Sequence, residues 1–233
     1  MEYLPNGVTL EVPPGSFPLS TDSMALAHFV RLPRNARVLD LGSGCGTLGL
    51  LLCSVDSACR VTGVELSPAA HQAAVENIRR NQMESRMQSI CMDLRQVSGS
   101  FPPGSFSCCV SNPPYFSGGP ASRSHAAARR EDNCSAEDLF RSAAWALKFG
   151  GDFFLVHRPE RLGELIALAD RAGLTAKRLC LLRHREGGNV SLILLQLRKG
   201  ARPGLAWEEW CLADAQGNPT SICHAIYHRK DVS

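Results

Sequence analysis

Short apolar runs alternate with stretches of helical apolar spacing from about residue 37 to residue 172. Arg37-Val-Leu-Asp-Leu reads as a strand with an acid near its end, and the glycine turn Gly42-Ser-Gly-Cys-Gly leads into an apolar helix from Thr47 to Ser54. Arg60-Val-Thr-Gly-Val-Glu is a second strand. Ser67-Pro68 then gives a cap and a proline at the first helical position, for a helix reaching about Asn81. Met87 to Met92 makes a third strand closed by Asp93, and Phe106 to Ser111 a fourth that ends on Asn112-Pro-Pro-Tyr. Phe116 to Cys134 has no periodicity and reads as a long loop. A capping-box pattern at Ser135 opens a helix to Leu147 that Gly150-Gly151 ends. Asp152 to Val156 is a fifth strand, followed by a helix from Pro159 to Ala172. Two apolar runs, Ala176 to His184 and Val190 to Arg198, meet through Glu186-Gly-Gly-Asn as a hairpin. Asp22 to Val30 suits a helix across the mouth of the sheet.

Strand and helix in alternation mean a parallel sheet covered on both faces. The expected fold is α/β and Rossmann-like, a seven-stranded mostly parallel sheet with an antiparallel strand from the terminal hairpin. The whole chain, 1–233, reads as one domain, with 1–36 an N-terminal extension and 199–233 a C-terminal tail.

Composition narrows the class. At 44% hydrophobic and 20% charged, the chain has ordinary globular usage and enough length to bury a core without staples. No apolar run approaches the roughly 18 to 20 residues of a membrane span, and the start, Met-Glu-Tyr-Leu-Pro, has no secretory pattern. A soluble, cytoplasmic protein is expected. The ten cysteines contain no Cys-x-x-Cys pair or finger spacing, so no metal site is expected. Several, such as Cys53, Cys91, Cys108 and Cys180, sit in apolar stretches and read as small hydrophobes. Residues 1–120 hold 8 Lys/Arg against 9 Asp/Glu, and residues 121–233 hold 17 against 13. The second half is therefore the better candidate to meet a polyanion, although such an excess is common on ordinary surfaces.

The candidate chemistry lies at strand ends. Asp40-Leu-Gly42-Ser-Gly44-Cys-Gly46 follows a strand and opens a helix, where parallel sheets collect ligands. A dinucleotide fingerprint would need a third glycine at Thr47, and no Gly-Lys-Ser/Thr follows for a P-loop. The Asp-x-Gly-x-Gly-x-Gly spacing instead resembles S-adenosylmethionine enzymes of the Rossmann-like class. Glu65, 19 residues after Gly46, ends the second strand, where an acid can take both ribose hydroxyls; Leu66 follows it. Asp93 stands where a carboxylate can accept from an adenine amine while the Leu94 N–H donates to the ring. Strand-end acids also cap the next helix, and that reading stays open for both.

Asn112-Pro113-Pro114-Tyr115 would face the glycine turn across the crevice. Two prolines stiffen the backbone and remove two N–H donors, so carbonyl oxygens point outward. The Asn112 side-chain oxygen and the Pro113 carbonyl can then accept both hydrogens of a planar amine, and Tyr115 with Phe116 offers an aromatic face for a flipped base.

These motifs, Asp40 to Gly46, Glu65, Asp93 and Asn112 to Tyr115, resemble those of class I amino-methyltransferases. Thr21-Asp22, the continuation to Phe116, Ala128-Arg-Arg-Glu131, Arg202-Pro-Gly-Leu and Ile226-Tyr227-His228 are similar to the bacterial tRNA adenine-N6 methyltransferases that modify valine tRNA beside its anticodon. The resemblance implies S-adenosylmethionine as cofactor and tRNA as substrate. It puts the N-terminal extension over the cofactor site, with its Thr21 and Asp22 at the cofactor's methionine end, and Arg129 and Arg130 against the substrate.

Three related activities compete. A release-factor-type protein glutamine methyltransferase uses the same tetrad but carries a large helical N-terminal domain, where only about 36 residues precede the first strand here. An rRNA guanine-N2 methyltransferase would be expected to have Phe in place of Tyr115, and a DNA adenine methyltransferase needs a sequence-reading insertion that is not evident. A non-catalytic RNA-binding protein is disfavoured by the intact Asp40, Glu65, Asp93 and Asn112.

Overall fold

A computed structural model describes residues 2–13, 19–113 and 134–227. The main sheet contains β3 (Arg37–Leu41), β4 (Arg60–Glu65), β5 (Met87–Cys91), β6 (Phe106–Ser111), β7 (Leu147–His157), β8 (Leu174–Arg185), β9 (Val190–Lys199) and β10 (Ala206–Ala213). Its spatial order is β10-β8-β9-β7-β6-β3-β4-β5, and β9 alone runs against its neighbours. A separate hairpin pairs β1 (Glu2–Tyr3) with β2 (Thr9–Leu10).

The seven expected strands are thus joined by an eighth. β10 falls in what reads as a tail, and it pairs in parallel with β8, burying Trp210 and Leu212. Its sequence, Ala-Trp-Glu-Glu-Trp-Cys-Leu-Ala, mixes acids into the strand because one side of an edge strand meets water.

Helices cover both faces. α1 (Thr21–Phe29), α2 (Thr47–Val55), α3 (Pro68–Arg80) and the C-terminal α7 (Ser221–Tyr227) pack one core, and α4 (Val97–Ser100), α5 (Ala136–Ala146) and α6 (Leu162–Arg171) border the other. Period-two alternation sends the vicinal Cys108 and Cys109 into opposite cores. Cys91 departs from the apolar expectation. It is exposed, because β5 is the other edge of the sheet.

Local signals act largely as expected. The Ser67 Oγ accepts from the Ala70 N–H at the start of α3, and Ser135 and Asp138 form a reciprocal capping box on α5. α5 nevertheless ends at Ala146, before the two glycines. Leu147 already pairs with Phe106 in β7, and Gly150-Gly151 lie in a bulge between that pair and Cys108–Asp152. A Cβ on Gly151 would sit 3.0 Å from the Lys148 carbonyl oxygen and 3.1 Å from that of Ser107, so glycine serves the close backbone approach rather than the helix end.

The strand order reverses between β3 and β6, and an α/β crevice opens at such a point beyond the carboxyl ends of the strands. The Ser111 Oγ donates to the Leu41 carbonyl at 2.7 Å across this point. Gly42 and Asn112, the next residues, therefore leave the sheet side by side.

Candidate active site

The glycine turn is held by the neighbouring strand. The N–H groups of Gly42 and Ser43 both donate to the Val64 carbonyl at 3.0 Å, and Gly46 N–H donates to the Ser43 carbonyl at 2.9 Å. Gly42, Gly44 and Gly46 have φ of 72°, 55° and 87°, a region that favours glycine. A Cβ on Gly42 or Gly44 would meet no protein atom within 4 Å, so these two positions face open space and owe their glycines to backbone conformation.

Glu65 clamps two turns at once. Its Oε2 accepts from the Gly44 N–H and its Oε1 from the Ser67 N–H, each at 2.8 Å. Glu65 thus acts as a strand-end cap and as a brace for the glycine turn, with a second lone pair left on each oxygen. Leu66 beside it is exposed.

Asp40 is fully buried behind the turn, and neither carboxylate oxygen has a hydrogen-bond partner among the described residues. Burial, then repulsion from Glu65, pushes its pKa up to about 7, against the opposing dipole of the Gly49 N–H. This buried carboxylate lies under a turn whose Gly42 and Gly44 open outward.

Asp93 caps the short turn at Leu94–Gln96: its carboxylate accepts from the Arg95 backbone N–H at 2.9 Å and pairs with the Arg95 guanidinium. The Arg95 side chain holds its pKa below the usual value. Half-buried Leu94 accepts from the Ser142 hydroxyl through its carbonyl at 2.9 Å.

Asn112 projects from the end of β6, and its Nδ2 donates to the Ser23 Oγ of α1 at 2.9 Å. The same first turn of α1 carries Thr21, hydrogen-bonded to the Tyr227 hydroxyl at 2.7 Å. It also carries Asp22, whose pKa burial raises against the nearby charges of Arg158 and His184. α1 therefore lies where the sequence places it, over the strand ends.

Pro113 is the last described residue of the tetrad. Pro114, Tyr115, Phe116, Arg129, Arg130 and the loop from Phe116 to residue 133 lie outside the described residues.

Two site residues carry little sequence signal. Ser23 is one hydroxyl in an apolar helix, visible only as a polar residue where the pattern asks for an apolar one. Asn77 on α3 is fully buried: its Oδ1 accepts from the Glu11 N–H at 2.8 Å, and its Nδ2 donates to the carbonyls of Glu11 at 2.9 Å and Cys45 at 3.1 Å. It ties the N-terminal arm to the glycine turn.

Among the described residues no group of three or more His, Cys, Asp or Glu is placed to share a metal ion, and no helix is long and apolar enough to cross a membrane.

A mostly parallel sheet with this reversal and a glycine turn at its switch point is a Rossmann-like architecture. Solved structures bear out the fold: a predicted O-methyltransferase from Agrobacterium tumefaciens superposes with a TM-score of 0.75 at 22% identity, covering 91% of this chain and 100% of that one. The [4+2]-cyclase SpnF superposes with a TM-score of 0.58 at 15% identity over 77% of this chain and 81% of that one, so the fold by itself leaves the reaction open. The family model for the methyltransferase small domain matches residues 19–170, and the chain belongs to that family; it is a methyltransferase. Curated relatives named tRNA1(Val) (adenine(37)-N6)-methyltransferase are similar along most of their length. The one from Photobacterium profundum is 30% identical over 77% of this chain and 76% of its own. The one from Bacteroides fragilis is 32% identical over 72% of each.

Proposed function

We propose that the protein transfers a methyl group from S-adenosylmethionine to the exocyclic N6 amine of an adenine in tRNA, beside the anticodon of valine tRNA, in the cytoplasm. The observation that carries the reading is the pairing of the outward-facing glycine turn with Asn112 at one switch point. The names of the relatives support the tRNA substrate.

The residues present fit the cofactor. Glu65 has lone pairs left for the ribose hydroxyls, and Asp93 and Leu94 edge the place for the adenine. Gly42 and Gly44 allow close backbone approach, Gly46 turns the chain into α2 against Met87 and Ala74, and Asp40 stands behind them; Leu66, Thr21 and Asp22 border the same space. S-adenosylmethionine, when bound, supplies a methyl group already activated on a sulfonium.

The chain's own task is to bind and orient the amine. Asn112 Oδ1 and the Pro113 carbonyl accept its two hydrogens, which frees the nitrogen lone pair and favours the tetrahedral nitrogen that forms as the methyl arrives. No strong base is needed, because the amine proton becomes acidic only after transfer. Pro114 stiffens the tetrad, Tyr115 and Phe116 stack on the base, and Arg129 and Arg130 meet the tRNA; these roles rest on the sequence and its resemblance to the family.

The test is incubation with S-adenosylmethionine and unmodified bulk bacterial tRNA, followed by digestion and mass spectrometry for N6-methyladenosine. The nucleoside is expected with wild-type protein. Asn112→Ala is expected to cut turnover at least about a hundredfold while cofactor affinity stays within a few fold. Methyl transfer to protein or rRNA in place of tRNA would overturn the substrate; equal loss of cofactor affinity in Asn112→Ala would overturn the role of Asn112.

A further inference from the structure

Beyond its first turn α1 is largely apolar: Met24, Ala25, Leu26, Ala27 and Phe29 are buried. Ser23 is buried among them, at 8% exposure. A hydroxyl in such a place is unfavourable unless it is hydrogen-bonded, and alanine would favour the helix more. Its Oγ accepts from Asn112 Nδ2 at 2.9 Å, across 89 residues of chain. Both ends of the helix are anchored independently of this bond. Thr21 hydrogen-bonds Tyr227 of α7 at 2.7 Å, and Phe29 packs edge-on against Phe154 of β7 and Trp210 of β10. The hydroxyl is thus brought to Asn112 by a helix fixed at both ends.

A carboxamide has one accepting end and one donating end, and its terminal torsion is broad and roughly two-fold. Reversed, Asn112 would present N–H groups to the hydrogens of the substrate amine and repel it. We propose that Ser23 is a positioning residue for methyl transfer: by accepting from Asn112 Nδ2 it holds the carboxamide in place with Oδ1 on the side of the amine. The inference rests on the reading of Asn112 given above. Ser23 does not touch the reacting atoms, so its contribution falls on turnover and not on cofactor binding.

The experiment compares wild type, S23A, S23T, N112A and the S23A/N112A double variant. Turnover is measured with methyl-labelled S-adenosylmethionine and bulk tRNA, cofactor affinity by calorimetry, and the Asn112 side-chain NH2 pair in 1H–15N spectra, where N112A identifies it. S23A is expected to lower kcat about tenfold with cofactor affinity unchanged, the effect of one lost hydrogen bond. S23T keeps a hydroxyl and is expected to recover most of the loss. The double variant is expected to match N112A, because the two residues act as one unit. The NH2 pair is expected to move in S23A without any ligand. Wild-type kcat in S23A, losses that multiply in the double variant, or an unmoved NH2 pair would each overturn the proposal. If S23A fails to fold, S23C is judged on the same criteria, since sulfur fills the space and accepts poorly. Normal turnover in N112A would instead remove the reading of Asn112 itself. Should wild type leave tRNA unmodified, the NH2 pair decides the Ser23 contact alone.

Discussion

Asp40→Asn isolates one buried charge. In the folded protein the Asp40 pKa is pushed up to about 7, against an ordinary 3.8 in the unfolded chain. Between those values the folded state holds a proton that the unfolded state has released, so stability falls as pH rises and levels off above the folded pKa. From pH 5 to pH 8 the falling part spans about two pH units, which corresponds to about 3 kcal/mol at roughly 1.4 kcal/mol per unit. Asparagine has nearly the same shape and does not titrate. Urea unfolding of both proteins, without ligand, at half-unit steps from pH 5 to pH 8 measures the effect as a difference between two curves, so titrating groups that do not interact with Asp40 cancel. Asp40→Asn is expected to gain about 3 kcal/mol on the wild type over that range. Parallel curves would refute the reasoning, because they would mean that Asp40 is ionised throughout and solvated in a way its burial contradicts. The opposing group is His157, whose pKa burial lowers to about 4; it contributes stability at higher pH and appears equally in both curves.

Two further substitutions test the supports of the glycine turn. Glu65→Gln keeps one acceptor but replaces the other with an amide nitrogen, which faces either the Gly44 or the Ser67 N–H; calorimetry is expected to show S-adenosylmethionine binding weakened at least about tenfold. Unchanged affinity would mean that Glu65 serves only as a cap. Asn77→Ala removes three hydrogen bonds of a buried carboxamide and leaves the Glu11 and Cys45 groups without them. Urea unfolding is expected to show a loss of about 2 to 4 kcal/mol, with faster hydrogen exchange in the arm around residues 9–11. A loss below about 0.5 kcal/mol would show that water replaces the side chain at no cost.

Strands β3 to β6 and their helices were legible because each carries its own signal: apolar runs of strand length, a cap at Ser67, and glycines where the chain must turn sharply. Even Asn112 could be placed, since strand order in a doubly wound sheet follows from the handedness of its crossovers. β10 and the first hairpin were not legible. Their stability comes from partners distant in sequence, β8 for one and the carboxamides of Asn77 on α3 and of Asn81 just past its end for the other. The end of α5 was misplaced for a related reason. Leu147 is compatible with a helix, and its pairing with Phe106 draws it into β7.

Local pattern therefore carries the fold class, the glycine turn and the Asn-Pro-Pro-Tyr motif proposed to bind the amine, because glycine, proline and strand-end acids act through backbone conformation within a few residues. The condition of those groups depends on what folding brings beside them. Asp40 reads as one more strand-end acid until burial and Glu65 raise its pKa, and Asp93 reads as an open acceptor until Arg95 pairs with it. Ser23 reads as a defect in an apolar helix until Asn112 lies 2.9 Å away. Charge state and side-chain orientation are set by neighbours in space, and contacts across 89 residues exist only once the sheet has closed.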